Sequence, residues 1–204
     1  METHDVKRLL GKTDMYLIDL LQKGYFDKPL HVLDAGCGKG RNIWMLAEFG
    51  HAISACDTNE SDLSILQEEV KKRKIDLSAI NVRVGEIGKL PYRDQDFDFV
   101  ICNAVLHFAK DKDHFLEMMR DLTRVVRKGG IIFTRFVSSH TLNNRGQEFN
   151  KTMQLPDGTN RFVVDENWLK SEVINGLGLE LSEEFKTINI DNKRTMTTLI
   201  LRAK

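Results

Sequence analysis

The sequence has no excess of either charge and no long apolar run. Of its 204 residues, 30 are lysine or arginine and 30 are aspartate or glutamate, which gives a formal net charge of +0 at pH 7. A balanced chain has no overall basic field to attract nucleic acid, which argues against such a partner, although a local basic patch stays open. No apolar run approaches the ~20 residues that a membrane-spanning helix needs, so we expect no membrane partner.

Cysteine and proline are scarce, with three residues of each. No two cysteines form a CxxC pair, which fits a reducing compartment better than a disulfide framework. The polar first residues show no signal-peptide core, and we expect a cytoplasmic protein. No repeat or proline-rich linker divides the chain. We therefore expect one domain over residues 1–204, as a monomer or homodimer, with an N-terminal helical segment (1–28) and a substrate-side insert (138–164).

The most informative stretch is residues 31–42, where a short apolar run ends in Asp34 and breaks into glycines at positions 36, 38 and 40. An amphipathic pattern follows, so the stretch predicts a strand, a tight turn and a helix, the start of a βαβ unit. Glycines let a ligand approach the backbone without a Cβ in the way, and the helix N-terminus offers free N–H groups. We expect a polar ligand on this turn.

Two nucleotide-type ligands compete for the turn. In the dinucleotide fingerprint G-x-G-x-x-G, the third glycine allows close helix–strand packing, but Arg41 occupies that place here. The stretch also lacks the Lys-Ser/Thr ending of a P-loop. Residues 33–40, Leu-Asp-Ala-Gly-Cys-Gly-Lys-Gly, instead resemble motif I of the class I S-adenosylmethionine (SAM) methyltransferases.

Strand and helix patterns alternate along the rest of the chain. Strands are predicted at 52–56, 81–84, 97–102 and 131–136, a helix at about 113–128 that stops at Gly129-Gly130, and a final antiparallel pair at about 180–188 and 196–202. This order predicts an α/β, doubly wound sheet, mostly parallel with one antiparallel strand. It resembles the seven-stranded Rossmann-like sheet of class I methyltransferases over residues 30–204. Ligands of such sheets bind at the carboxyl ends of the strands.

The segment before the first strand has no place in that sheet order. Residues 4–24 are predicted to be helical, with a break at Gly11 and a new start capped by Thr13. The segment either packs on the sheet or closes over the ligand.

Several residues at the predicted strand ends suit parts of SAM. Asp57 follows the second strand, 21 residues after Gly36, where a carboxylate can hold a ribose diol; the alternative is a helix cap. Asp34 either meets the ammonium of the methionine tail or ties the turn together, and Arg41 either binds the tail carboxylate or is an exposed helix residue. The resemblance implies an adenine site at Glu86-Ile87 and backbone contacts at the end of the fourth strand. The expected cofactor-binding residues are Asp34, Gly36, Cys37, Gly38, Arg41, Asp57, Thr58, Glu86, Ile87, Asn103, Ala104 and Val105.

The predicted reaction is methyl transfer from SAM, with S-adenosylhomocysteine (SAH) as product. An oxygen or carbon acceptor usually needs a base, for which His107 is the best-placed candidate and His140 the second; a structural His107 is the alternative. Arg135 either binds an anionic acceptor or satisfies a strand end. The three cysteines are expected to be buried thiols, without the ligand spacing of a metal site.

A finer resemblance concerns the acceptor. Residues 103–108 and 186–200 look similar to tellurite-resistance-type methyltransferases, which implies a small acceptor, and the insert is too short to recognise a folded macromolecule alone. We expect a small-molecule acceptor, with RNA or protein as substrate alternatives. A non-catalytic SAM-binding regulator and a nicotinamide-dependent oxidoreductase remain the alternatives from other classes.

Overall fold

The computed structural model describes residues 3–73, 80–139 and 148–204. The helices are α1 (Thr3–Leu10), α2 (Met15–Gln22), α3 (Trp44–Glu48), α4 (Glu60–Arg73), α5 (Lys112–Val125) and α6 (Glu166–Trp168), which continues into a π-helical segment (Leu169–Asn175). The strands are β1 (His31–Ala35), β2 (Ala52–Asp57), β3 (Ile80–Val84), β4 (Phe97–Asn103), β5 (Val126–Val137), β6 (Lys151–Gln154), β7 (Asn160–Val163), β8 (Leu179–Leu181), β9 (Lys186–Ile190) and β10 (Arg194–Ala203). Across the described ranges, no helix is long and apolar enough to span a bilayer.

The main sheet has the strand order β3-β2-β1-β4-β5-β10-β8. The first five strands pair in parallel, and β10 runs antiparallel to β5 and β8. The predicted fold class is therefore confirmed. Because β1 lies between β2 and β4, the strand order reverses there, and the carboxyl ends of these strands open a crevice for a ligand.

Successive side chains of each strand point to opposite faces of the sheet and form two apolar layers, one on each face. One layer joins Leu33, Val100 and Ile132 to α5 and the C-terminal helices. The other joins Val32 and Ile101 to α2, α3 and α4. Both faces are thus covered by helices, as a parallel sheet requires.

The predicted strand at 180–188 is two strands in the structure. Leu181 pairs with Leu201 of β10, and Lys186 pairs with Thr198 of β10. The segment from Leu181 to Lys186 therefore advances five residues, whereas β10 advances only three over the same distance. The two extra residues cannot join the ladder, and β8 and β9 are separated there. The prediction of one continuous strand was wrong for this reason.

The predicted end of the long helix is also wrong. Helix α5 ends at Val125, and Val126 is already extended and pairs with Phe97. The glycine pair lies inside β5 instead. A Cβ on Gly130 would stand 2.9 Å from the carbonyl oxygen of Asp98, so the glycine permits a close approach between strands rather than a helix stop.

The N-terminal segment packs against the sheet layer that contains α3 and α4. Asp14, not Thr13, caps α2, because its carboxylate accepts a hydrogen bond from the backbone N–H of Tyr16. Leu17 and Leu20 of α2 are fully buried in the core. Helix α1 buries no residue.

The described part of the insert, residues 148–164, contains the antiparallel hairpin β6–β7. Its buried side chains Leu155 and Val163 form a small apolar cluster with Val137 of β5 and Met196 of β10. The hairpin therefore covers the sheet beside the carboxyl end of β5.

Candidate functional site

A cleft of about 440 Å³ opens at the carboxyl ends of the first four strands. It collects residues from the glycine turn, from the end of β2, from the loop after β3 and from the end of β4. The predicted site residues that line it are Gly36, Asp57, Thr58, Glu86, Ile87, Asn103, Ala104 and Val105. Residues from four separate parts of the sequence thus share one cavity, as parallel strand ends dictate.

The glycine turn is fixed to the neighbouring strand by its own backbone. The N–H groups of Gly36 and Cys37 both donate to the carbonyl of Cys56, at 2.7 and 3.0 Å. Gly36 has φ +78°, and a Cβ on it would stand 2.3 Å from Cγ2 of Val105. Glycine at this position therefore lets the turn approach the end of β4 closely.

Asp57 joins this turn to the start of α4. Its Oδ2 accepts a hydrogen bond from the N–H of Gly38 at 2.8 Å, and its Oδ1 accepts one from the N–H of Asn59 at 2.9 Å. Both bonds hold the carboxylate in one orientation at the cleft. A carboxylate oxygen has two lone pairs, so each oxygen can still accept a hydroxyl donor.

Asp34 is a buried carboxylate without a hydrogen bond. It is 1% exposed, and neither oxygen has a partner among the described residues. Burial raises the pKa of Asp34 to about 7; the nearby charge of Arg41 opposes this shift, and the charge of Asp57 adds to it. An unpaired buried carboxylate is costly, and a cationic group on a ligand would relieve that cost.

The end of β4 is strained where it enters the cleft. Ala104 has φ +65°, in the left-handed region that L-residues rarely adopt. The conformation is held by a 2.8 Å hydrogen bond from its N–H to the carbonyl of Arg135. Strain of this kind persists where surrounding structure enforces it, often at ligand sites.

Asp14 connects the N-terminal segment to these strand ends. Its Oδ2 accepts hydrogen bonds from Nδ2 of Asn103 at 3.0 Å and from Nη1 of Arg135 at 2.8 Å. Its own N–H donates to Oδ1 of Asn42 at 3.1 Å. Sequence reasoning did not single out this residue; the only local signal was an Asp directly before an apolar helix, which is typical of an N-cap.

His107 lies in a short 3₁₀ turn, Leu106–Phe108, below the β6–β7 hairpin. Its side chain is buried, does not line the cleft, and its Nδ1 has no partner within the described ranges. Burial, together with the positive charges of Arg161 and Arg194, lowers the pKa of His107 to about 4. The imidazole is therefore neutral near pH 7. The second candidate base, His140, lies outside the described residues.

Further cleft residues come from the loop after β3 and from the stretch after β4, where sequence reasoning named no site residue other than His107. Phe108 is 58% exposed, and the guanidinium of Arg161 lies 4.7 Å from its ring centre. Nδ1 of His114 accepts a hydrogen bond from the N–H of Lys110 at 3.1 Å. The lining residues that were not predicted are Gly85, Phe108, Lys110, His114 and Met118.

Cys37, Gly38 and Arg41 face a second cavity instead, a groove of about 520 Å³ on the other side of the glycine turn. The groove carries four cations and one acid, namely Lys12, Lys39, Arg41, Arg73 and Asp62. The last two lie 11 residues apart on α4. The balanced composition of the chain thus conceals a local basic surface.

The three cysteines are buried free thiols. Burial raises the pKa of each of them, to about 12 for Cys56 and further for Cys37 and Cys102. The described residues contain no cluster of three or more histidine, cysteine or acidic side chains that could hold a metal ion.

Comparison with known proteins gives consistent matches. The family described as "Methyltransferase domain" matches residues 33–134. The arsenite methyltransferase of Halobacterium salinarum is 36% identical over 103 residues, which are 48% of this chain and 25% of that protein. The ribosomal protein L11 methyltransferase of Campylobacter lari is 29% identical over 115 residues, 56% of this chain and 37% of that protein. The chain thus spans between a quarter and two fifths of the length of these two relatives.

Among solved structures, the magnesium protoporphyrin IX methyltransferase of Synechocystis PCC 6803, with bound SAH, superposes with a TM-score of 0.72. The match covers 94% of this chain and 81% of that one, at 18% sequence identity. A likeness at this identity establishes the fold.

Proposed function

Because the chain belongs to the family of methyltransferase domains, we propose that it binds SAM and transfers the methyl group of SAM to a small-molecule acceptor. The observation that carries this proposal is the carboxylate of Asp57. It is held by backbone N–H groups on both sides, it lines the cleft, and it is adjacent to the glycine turn. A ribose diol is the part of SAM that such an acceptor-only group holds.

The other cleft residues fit the remaining parts of the cofactor. The buried Ile87 and Met118 supply an apolar slot for adenine, beside the exposed carboxylate of Glu86. Two residues outside the cleft lining are candidates for the methionine tail: the unpaired carboxylate of Asp34 suits its ammonium, and Arg41, which lines the groove beyond Gly36, is the candidate for its carboxylate.

When bound, SAM supplies a methyl group that its sulfonium already activates. The protein then has to align the acceptor and exclude water. His107 is neutral at pH 7 and so has a free nitrogen for a proton, but its side chain lies beside the cleft rather than in it. A basic role for His107 requires a water molecule or a small rearrangement between imidazole and acceptor.

The edge of the cleft offers a contact for a small acceptor. The cleft of about 440 Å³ lies within the range for one small-molecule ligand, which is SAM in this proposal, and Phe108 offers an exposed ring at its edge. The finer resemblance to tellurite-resistance-type methyltransferases stays a prediction about the acceptor.

The basic groove supports one second candidate, an RNA acceptor. Lys12 and Arg41 have no acidic partner among the described residues, and the groove adjoins the cleft at Gly36. Phosphate contacts weaken steeply with salt, so RNA binding that Lys12→Ala and Arg41→Ala reduce and that added salt abolishes would favour this candidate. Salt-independent turnover of a small acceptor would favour the first.

Calorimetric titration with SAM and SAH tests the proposal. We expect micromolar binding, about −8 kcal/mol, and a loss of about 100-fold or more in Asp57→Ala, since hydrogen bonds to a charged group contribute about 1.5–3 kcal/mol each. Asp165→Ala is the matched control, because Asp165 also caps a helix but does not line the cleft. Absence of binding, or equal binding by Asp57→Ala, would refute the cofactor assignment. Binding without turnover of any acceptor would indicate a non-catalytic regulator, and a preference for NAD an oxidoreductase.

A further inference from the structure

We propose that Asp14 is a positioning residue that fixes the orientation of the Asn103 amide in the cofactor cleft, which makes the N-terminal segment part of the site for the methionine tail. This inference rests on the proposed function, since the ligand concerned is SAM or SAH. It assigns a role to a residue that lies outside the cleft and acts through one that lines it.

The three side chains concerned meet at one oxygen atom. Asn103 and Arg135 are direct register partners at the ends of β4 and β5, and both donate to Oδ2 of Asp14. The side chain of Asp14 is 1% exposed. Burial alone would raise the pKa of Asp14, but hydrogen bonds from Asn103, from the N–H of Tyr16 and from Arg135 outweigh burial and lower it. Asp14 is therefore a carboxylate at neutral pH.

The charge of Asp14 decides which way the amide of Asn103 faces. A carboxylate only accepts hydrogen bonds, so Asn103 must present its NH₂ group to Asp14. The carbonyl oxygen of the amide is then left on the opposite side. In the structure, Oδ1 of Asn103 is buried and has no hydrogen-bond partner among the described residues.

A buried carbonyl oxygen without a hydrogen bond destabilises the protein, and a donor on a ligand would relieve that cost. The ammonium group of the methionine tail is the cationic donor on SAM and SAH. Asn103 lies at the end of β4 and Asp34 at the end of the adjacent β1, and both have unpaired oxygens. Two such acceptors at neighbouring strand ends match a group with several N–H donors.

Docking of the segment does not rest on Asp14 alone. Leu17 and Leu20 are fully buried and hold α2 in the core, in addition to the cap and the buried hydrogen bonds that Asp14 supplies. The substitution Asp14→Asn keeps the shape of the side chain but gives it an NH₂ group of its own. An amide at position 14 offers only one oxygen to donors that now share two, namely Asn103 and Arg135 at Oδ2 and the N–H of Tyr16 at Oδ1. The amide of Asn103 is then no longer held in one orientation, and the effect expected is a loosened amide in a folded protein.

Binding of two ligands distinguishes this role from a structural one. SAH carries the methionine tail, whereas 5′-methylthioadenosine has the same adenosine and no tail. We expect Asp14→Asn to weaken SAH at least tenfold by calorimetry and to leave 5′-methylthioadenosine within twofold of the wild type. Asp19→Asn, the same change on the same helix at a surface ion pair, is the control and should alter neither affinity.

A double-mutant cycle tests whether Asp14 acts through Asn103. Asn103→Ala should show the same loss for SAH alone, and adding Asp14→Asn to it should weaken SAH less than threefold further. Equal losses for both ligands, multiplicative losses in the cycle, or unchanged SAH binding by Asn103→Ala would each overturn the proposal. Unchanged SAH binding by Asn103→Ala would overturn the proposal even if Asp14→Asn fails to fold. A wild-type protein that binds neither ligand would refute the proposed function itself, and this inference with it.

Discussion

Replacing Gly36 with alanine is expected to destabilise the protein and close the cleft at once. Gly36 has φ +78°, and an added Cβ would lie 2.3 Å from Cγ2 and 3.3 Å from Cβ of Val105. A left-handed backbone costs an L-residue about 1–2 kcal/mol. Overpacking against a neighbouring side chain costs about 1–3 kcal/mol more. The sum, about 2–5 kcal/mol, lowers Tm by about 4–20 °C at about 2–4 °C per kcal/mol for a domain of this size.

Gly50→Ala separates the two costs. Gly50 has φ +83°, but nothing lies within 4 Å of the Cβ position, so this variant should lose only the backbone contribution. Thermal unfolding of both variants should therefore differ by the overpacking alone. Because Val105 lines the cleft, only Gly36→Ala should also weaken SAH, by about tenfold or more.

Val105→Ala offers a rescue, because it removes the methyl group at 2.3 Å and leaves only the 3.3 Å contact. The double variant should regain part of both the stability and the SAH affinity, relative to Val105→Ala alone. If Gly36→Ala were no less stable than Gly50→Ala and bound SAH normally, the close approach of turn and strand would not matter and the reasoning would fail.

Three further predictions follow from the buried titratable groups. The pKa of Asp34 is raised from 3.8 to about 7, so between these pH values the folded state binds more protons than the unfolded state. The free energy of unfolding therefore falls as pH rises from about 4 to 7. Asp34→Asn should remove this pH dependence and raise Tm at pH 7. The pKa of His107 is lowered from 6.5 to about 4, so its contribution to stability increases as pH rises from about 4 to 6.5. If His107 is the base, His107→Gln should lower kcat by about 10²–10⁴ with SAH affinity unchanged, and an unchanged kcat would leave it a structural role. Cys37, Cys56 and Cys102 should not react with a thiol reagent at pH 8 until the protein is denatured; rapid modification of the native protein would contradict their burial.

The sequence alone determined the architecture and much of the cleft. Alternating strand and helix periods predict a parallel α/β sheet, and the parallel order brings the carboxyl ends of β1 to β5 to one edge. This is why the position of Asp57 at the cleft could be predicted from its spacing after Gly36. Local patterns were sufficient because the predicted cleft residues lie at the ends of their own strands or directly after them.

Local patterns failed where pairing with a distant strand decided the outcome. The Gly129-Gly130 pair looks like a helix stop in sequence, but the approach of Asp98 makes it part of β5. The break between β8 and β9 depends on their register with β10, which no pattern within residues 180–188 records.

Only the tertiary structure decided which polar groups at the strand ends have partners. Asp14 is 89 residues from Asn103 and 121 residues from Arg135 in sequence, yet both side chains donate hydrogen bonds to its Oδ2 atom. The same packing leaves Asp34 without a hydrogen bond and raises its pKa. Hydrogen bonding and desolvation act over a few ångströms in space, whereas sequence patterns describe neighbours along the chain, so the orientation and charge of these groups appear only once the strands are assembled.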